Sequence, residues 1–255
     1  MKFLLFSVFG LLFLVESYSQ GHDKYFGRLN PMDRNEGFDQ EAEDYFNIAN
    51  LKLEKGLFEF AIKDLSIAIE IDSNYAEAYN NRGIAKRKIG ETVSAIEDFS
   101  KAIQLNPYNE EALNNRGNAK LDLEDFHGAI EDYTAAIALN KRLTDAYHNR
   151  GLAKSRLEDY SGAISDFSTA ISLTKKFGEA YFNRGLARYK MNDYKLAEAD
   201  FTKLISLEPK NELAFYNRGI ARMKMDIKDA ACADFKTATE MGNPSALEVF
   251  RAYCK

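Results

Sequence analysis

Residues Thr144 to Phe177 read TDAYHNRGLAKSRLEDYSGAISDFSTAISLTKKF, and this 34-residue phrase recurs through most of the chain. Its Asn149-Arg150-Gly151 is matched at Asn81-Arg82-Gly83, Asn115-Arg116-Gly117, Asn183-Arg184-Gly185 and Asn217-Arg218-Gly219. A degenerate copy, Asn47-Ile48-Ala49, stands one step upstream. Six units therefore follow one another without insertion: 42–75, 76–109, 110–143, 144–177, 178–211 and 212–245. A fixed period of this length marks a stacked repeat architecture and takes precedence over any local reading.

Other columns keep the period. The fourth position holds Tyr45, Tyr79, Leu113, Tyr147, Tyr181 and Phe215; the twentieth is Ala in every unit, from Ala61 to Ala231. The twenty-fourth is Leu65, Phe99, Tyr133, Phe167, Phe201 and Phe235, and the twenty-seventh is Ala except for Leu204. In the second unit Tyr79 and Gly83 stand at i and i+4, and Ala95, Phe99 and Ala102 at i, i+4 and i+7, which reads as two helices. Small residues at the eighth and twentieth positions let the pair approach closely, and the aromatic at the twenty-fourth fills the space beside them. Ile96 and Ile103 widen the apolar stripe of the second helix beyond what one partner can cover, so each unit needs the next.

These residues at these spacings resemble the tetratricopeptide-repeat family over 42–245, in an exported bacterial type. The family's proline near the unit end is present as Pro107 and Pro209 and is replaced by Ser73, Lys141 and Lys175 elsewhere; in the last unit Asn243 stands there, with Pro244 beside it. The resemblance implies an all-α, right-handed superhelical solenoid of six helix-turn-helix repeats, with the first helix of each unit lining the concave side. Residues 246–255, with Leu247, Phe250 and Tyr253 at i, i+3 and i+6, read as a C-terminal capping helix over the sixth unit.

The first 19 residues do not belong to that pattern. Met1-Lys2 precedes an apolar run of 13 residues, Phe3 to Val15, and Ser17-Tyr18-Ser19 supplies a small-x-small cleavage signal. This is the layout of a secretory signal peptide, and the run is shorter than the ~20 residues of a membrane span. Export to the periplasm or outside the cell is the expectation. Residues 20–41, with Gly21, Gly27, Asn30-Pro31 and Gly37, read as a polar linker.

The chain has 255 residues, 45% of them hydrophobic and 29% charged, with a formal net charge of −5. A nucleic-acid binder usually carries a basic surplus, so a protein or peptide is the expected partner. In the resembling family the second, fifth, sixth and ninth positions face the groove. The sixth is Asn throughout: Asn47, Asn81, Asn115, Asn149, Asn183 and Asn217. A carboxamide donates and accepts, so such a ladder can pair with the backbone of an extended peptide. The alternative is that these side chains bond neighbouring helices. Phe182, Tyr189 and Tyr216 are candidates to seat an apolar ligand side chain. The second position is acidic in five units (Glu43, Glu77, Glu111, Asp145, Glu179), which repels a carboxylate and argues against the acidic C-terminal tails of chaperones.

The seventh position is Arg in the last five units and the twenty-third is Asp in all six. Arg is missing only in the first unit, where no upstream Asp exists. That favours pairing across units: Asp64 with Arg82, Asp98 with Arg116, Asp132 with Arg150, Asp166 with Arg184 and Asp200 with Arg218. Pairing within a unit, Asp98 with Arg82, is the competing geometry. Either serves the stack, because a carboxylate in the guanidinium fork fixes orientation.

The three His (His22, His127, His148) form no metal-spaced cluster, and the Gly follow the repeat period instead of gathering into a phosphate loop. No cofactor, metal or catalytic group is expected. Cys232 and Cys254 are an even pair in a chain read as exported, which points to a disulfide. The expected function is non-catalytic: a cell-envelope scaffold holding a partner segment in its groove. The alternative is an assembly component acting through the solenoid's edges or convex face.

Overall fold

The computed structural model describes residues 31–254, with side chains from Gln40 onward. Thirteen helices follow in order: α1 (Pro31–Glu54), α2 (Phe58–Ile71), α3 (Ala76–Lys88), α4 (Thr92–Leu105), α5 (Glu110–Asp122), α6 (Phe126–Leu139), α7 (Thr144–Arg156), α8 (Tyr160–Leu173), α9 (Gly178–Lys190), α10 (Tyr194–Leu207), α11 (Glu212–Lys224), α12 (Lys228–Glu240) and α13 (Pro244–Tyr253). No strand interrupts them among the described residues. The segment read as a signal peptide lies outside the described residues. The linker reading needs correction, because α1 begins at Pro31, inside the stretch 20–41. Proline at the first helical position is preorganised for a helix and gives up a donor that had no partner there. One glycine, Gly37, costs about 1 kcal/mol in a helix interior, too little to break one of 24 residues.

Each unit is an antiparallel helix pair, and each second helix packs on the first helix of the next unit. First helices of adjacent units also touch one another along the whole series, more closely than second helices do. The stack therefore curves with its first helices on the inside, as a superhelical solenoid.

Within each of the later five units the two helices meet at the glycine of the eighth position. The aromatic ring at the twenty-fourth position lies flush on its Cα: a Cβ on Gly83, Gly117, Gly151, Gly185 or Gly219 would stand 2.7, 2.8, 2.7, 2.8 or 2.6 Å from the ring. Phe99, Tyr133, Phe167, Phe201 and Phe235 are completely buried there. The first unit solves the same geometry the other way, with Ala49 against the smaller Leu65, both completely buried. Ring and missing methyl are thus a matched pair.

The turn inside each unit demands a second special conformation. The fifteenth position has positive φ in all six units: Gly56 and Gly90, then Glu124 (60°), Glu158 (61°), Asn192 (64°) and Asp226 (59°). Left-handed backbone costs an L-residue with a Cβ roughly 1–2 kcal/mol, and four units accept this to keep the turn. Side-chain caps help start the helices: Asp125 accepts from the Gly128 amide (3.0 Å), and Asp159 from Gly162 (2.9 Å). Connections lacking the family proline keep the same length, and Asp72 and Asn140 close them with side-chain bonds to the amides of Asn74 and Arg142.

The C-terminal cap is α13, begun by Asn243 accepting from the Ala246 amide at 2.9 Å. Ala246 is fully buried, whereas Tyr253 is 57% exposed, so the stripe expected to cover the sixth unit does so with its N-terminal part. At the other end of α13 a disulfide joins Cys254 to Cys232 on α12, with Cα atoms 5.5 Å apart. It closes a short loop, for which chain-entropy reasoning gives roughly 3 kcal/mol.

Gly151→Ala is expected to destabilise the protein by about 1–3 kcal/mol in urea unfolding, because Phe167 has nowhere to move. Gly151→Ala with Phe167→Leu reproduces the pair used in the first unit and should recover part of that loss. A double variant no better than the sum of its singles would refute the matched-pair reading.

Candidate functional site

The inner face is set by what the first helices have already spent on the stack. The seventh-position Arg makes a two-pronged bond to the twenty-third-position Asp of its own unit. Arg82 reaches Asp98 at 2.9 and 2.7 Å, and Arg116–Asp132, Arg150–Asp166, Arg184–Asp200 and Arg218–Asp234 repeat it within 0.2 Å. This corrects the expected cross-unit pairing of Asp64 with Arg82 and of each later pair. The physical reason is that the seventh position of the first helix and the twenty-third of the second face each other across one helix pair. The eleventh position adds a second cation to the same carboxylate: Lys86, Lys120, Lys154, Arg188 and Arg222. In the first unit, where Arg is absent, Lys52 holds Asp64. The five later carboxylates are nearly buried, and each is compensated twice, which such burial requires.

The guanidinium still reaches the preceding unit, through a different residue. Nη1 donates to the twenty-fifth-position hydroxyl of the unit before: Arg82 to Ser66 (3.1 Å), Arg116 to Ser100 (3.1 Å), Arg150 to Thr134 (3.0 Å), Arg184 to Ser168 (3.0 Å) and Arg218 to Thr202 (3.3 Å). The sixth unit has no successor, and its twenty-fifth residue is Lys236. That Ser/Thr column, broken only where no Arg follows, is the signal that could have revealed the partner.

The sixth-position Asn residues also join units. Asn81 donates to Asn50 Oδ1 (2.7 Å) and Asn149 to Asn118 Oδ1 (2.8 Å), both ninth-position residues of the preceding unit. Where the ninth position is apolar (Ile84, Leu152), the fifth supplies the acceptor: Asn115 bonds Asn80 Oδ1 (3.1 Å) and Asn183 bonds His148 Nε2 (3.0 Å). Asn118 also accepts from the Tyr133 hydroxyl at 2.8 Å, and burial pushes that phenol's pKa up, keeping it a neutral donor. At the fifth unit both positions are apolar, Phe182 and Leu186, and Asn217 turns to the carbonyl of Leu213 in its own helix (2.8 Å). Asn47 is exposed at the open end. Four of the six ladder amides are therefore engaged with the preceding unit through one N–H.

His148 is buried against the rings of Phe167 (centroids 5.6 Å) and Phe177 (4.8 Å). Burial holds its pKa below the usual imidazole value, against the opposing pull of Glu179 and Asp145. It is a neutral acceptor in the stack, and among the described residues no group of three His, Cys, Asp or Glu is placed to hold a metal ion.

What remains open on the inner face is the second and thirteenth positions and the partly exposed parts of the fifth, ninth and twelfth. In the fifth and sixth units Phe182, Tyr189 and Tyr216 are half-buried there, with the edges of Phe182 and Tyr216 leaning on the buried rings of Phe201 (6.0 Å) and Phe235 (6.1 Å). Among the basic side chains of the first helices, Arg87 is bound two-pronged to Asp122 of the next unit (2.6 and 3.1 Å).

Tetratricopeptide-repeat family models match residues 76–109, 178–211, 49–90 and 114–174, in step with these helix pairs. The chain belongs to the tetratricopeptide-repeat family. Among solved structures it is similar to PilF of Pseudomonas aeruginosa, with TM-score 0.72 and 19% identity over 85% of this chain and 99% of that one. YrrB, described as a tetratricopeptide-repeat protein with an unusual peptide-binding site, gives TM-score 0.67 and 21% identity over 73% of this chain and 97% of that one. MamA of Desulfovibrio magneticus gives TM-score 0.63 and 26% identity over 67% and 97%. No curated protein sequence matches the chain. Proteins of this family are typically non-catalytic scaffolds for other proteins.

His148 generates a test of the inter-unit amide network. The unfolded chain titrates this side chain at the ordinary value of 6.5, while the folded site resists the proton. Stability is thus complete above that pH and declines as pH falls from it toward the lower folded value. His148→Asn supplies the acceptor found at Asn80 and removes the titration. Urea midpoints at about pH 7.5 and about pH 5.5 should converge in the variant relative to the wild type; an unchanged difference would show that His148 does not sense pH in the stack.

Proposed function

We propose that this protein is an exported, non-catalytic scaffold that holds an extended segment of a partner protein on its inner face. The observation that carries this reading is the division of labour on the first helices. Columns three, seven, eight and eleven are consumed by the stack, while the second and thirteenth stay exposed and the sixth-position amides lie between them on the same helices. Apart from Asp122 and Arg156, which meet Arg87 and Phe126 of the preceding unit, the side chains at the second and thirteenth positions make no ion pair or hydrogen bond to a neighbouring unit among the described residues, and a curved row of amide donors matches the regularly spaced carbonyls of an extended chain. The apolar run and small-x-small triplet at residues 3–19 support export, and no helix among the described residues is long and apolar enough to cross a membrane.

The test is site-specific photo-crosslinking in the native cell, followed by fractionation and mass spectrometry. A photoreactive residue at Leu186 on the inner face should yield a discrete partner adduct in the envelope fraction, and one at Lys101 on the outer helices should not. Adducts from Lys101 alone would transfer the activity to the convex face.

A further inference from the structure

The inner face is not uniform along its length, and its two halves differ in both charge and polarity. In the first three units the second and thirteenth positions hold Glu43, Glu77, Glu111, Glu54 and Asp122 against one base, Lys88. In the last three they hold Asp145 and Glu179 against Arg156, Lys190 and Lys224, and the remaining acid is replaced by Leu213, which is 46% exposed. Asp122 is neutralised by Arg87. Lys190 and Lys224 are exposed, and no carboxylate among the described residues lies within ion-pair distance of them. Asp193 and Asp226, in the turns that follow, leave them unpaired.

The same half is where the polar network stops. Asn217 is the sixth-position amide without a partner in the unit before, because Phe182 and Leu186 occupy both places that could supply one. From there the middle of the inner face is apolar: Phe182 and Leu186 on α9 stand beside Tyr216 and Ile220 on α11, all half-buried. The second, sixth, ninth and thirteenth positions are i, i+4, i+7 and i+11 on one helix, so this apolar patch lies directly N-terminal to the two free ammonium groups. An apolar surface flanked by unpaired cations is complementary to a ligand that joins an apolar side chain to a carboxylate.

We infer that the fifth and sixth units form the specificity subsite of the groove, and that it takes an acidic, apolar segment of the partner. An aromatic or branched aliphatic side chain seats on Leu186 and Ile220 between the rings of Phe182 and Tyr216. A neighbouring Asp or Glu faces Lys190 and Lys224. Asn217 releases its intrahelical bond to Leu213 and pairs with the ligand backbone. The acidic first half of the groove repels the same segment, so the partner lies in one direction only. This inference rests on the inner-face reading above and names the chemistry of its ligand.

The test uses the mature chain immobilised and panned against a library of short random peptides. Selected peptides should be enriched in Leu, Ile or Phe next to Asp or Glu, and their binding should weaken with added salt. Lys190→Glu with Lys224→Glu alters only exposed side chains; it should weaken those peptides roughly tenfold or more and switch a fresh selection to Lys or Arg. Selected peptides without a charge preference, or with one the double variant leaves unchanged, overturn the inference, as does a library that yields no binder. Should it fail while the photoreactive residue at Leu186 still captures a partner, the inner-face reading stands and the ligand chemistry is wrong. Loss of both removes the groove altogether.

Discussion

Thirty-four residues form two helices, and two helices cannot surround an aromatic side chain. Below about 40 residues a chain rarely buries enough surface to fold alone. Each ring at the twenty-fourth position therefore needs three things: the bare backbone of its own unit's glycine, the small residues beside it and the next unit's first helix. Phe99, for example, sits on Gly83 and is sealed by Ala119 of the following unit. That shortage of surface makes the protein a row of units, and a row of units has an inside.

Polar contacts refine what burial requires. The arginine column does two jobs with one planar group. Its fork closes the unit on its own aspartate, and its third corner reaches the hydroxyl of the unit before. A lysine could neutralise the aspartate but could not hold both directions at fixed angles. The amide column repeats the arrangement on the inner side, with its acceptor moving between the ninth and fifth positions as apolar residues displace it. Hydrophobic contact supplies the bulk of the stability, and these forks and amides set the angle at which one unit meets the next.

The 34-residue period and its Gly, Ala and aromatic columns made a stack of helix pairs legible, and the family resemblance supplied its superhelical form. The arginine partner was not legible by the same route. Asp98, Asp132, Asp166 and Asp200 each lie 16 residues after one Arg and 18 before the next, and spacing alone does not choose between the two. The missing Arg of the first unit pointed upstream, correctly, but the upstream partner is the hydroxyl at the twenty-fifth position and not the aspartate at the twenty-third. The helical start at Pro31 was hidden by Gly37 and the polar run around it. The amide ladder was visible as a column, yet its orientation depends on which neighbour offers an acceptor, as the exchange of Asn118 for His148 between adjacent units illustrates. The C-terminal disulfide was legible from an even pair of cysteines in a chain read as exported and a capping helix to carry one of them.

A stack held by shared surfaces has stability that grows with the number of interfaces. Urea unfolding of a series of chains shortened by whole units, each keeping the disulfide-linked cap, measures this directly. The account predicts an unfolded single pair and a midpoint that climbs with each added unit. A single pair as stable as the full stack would contradict it, because the units would then own their cores and have no need to curve around a shared inner face.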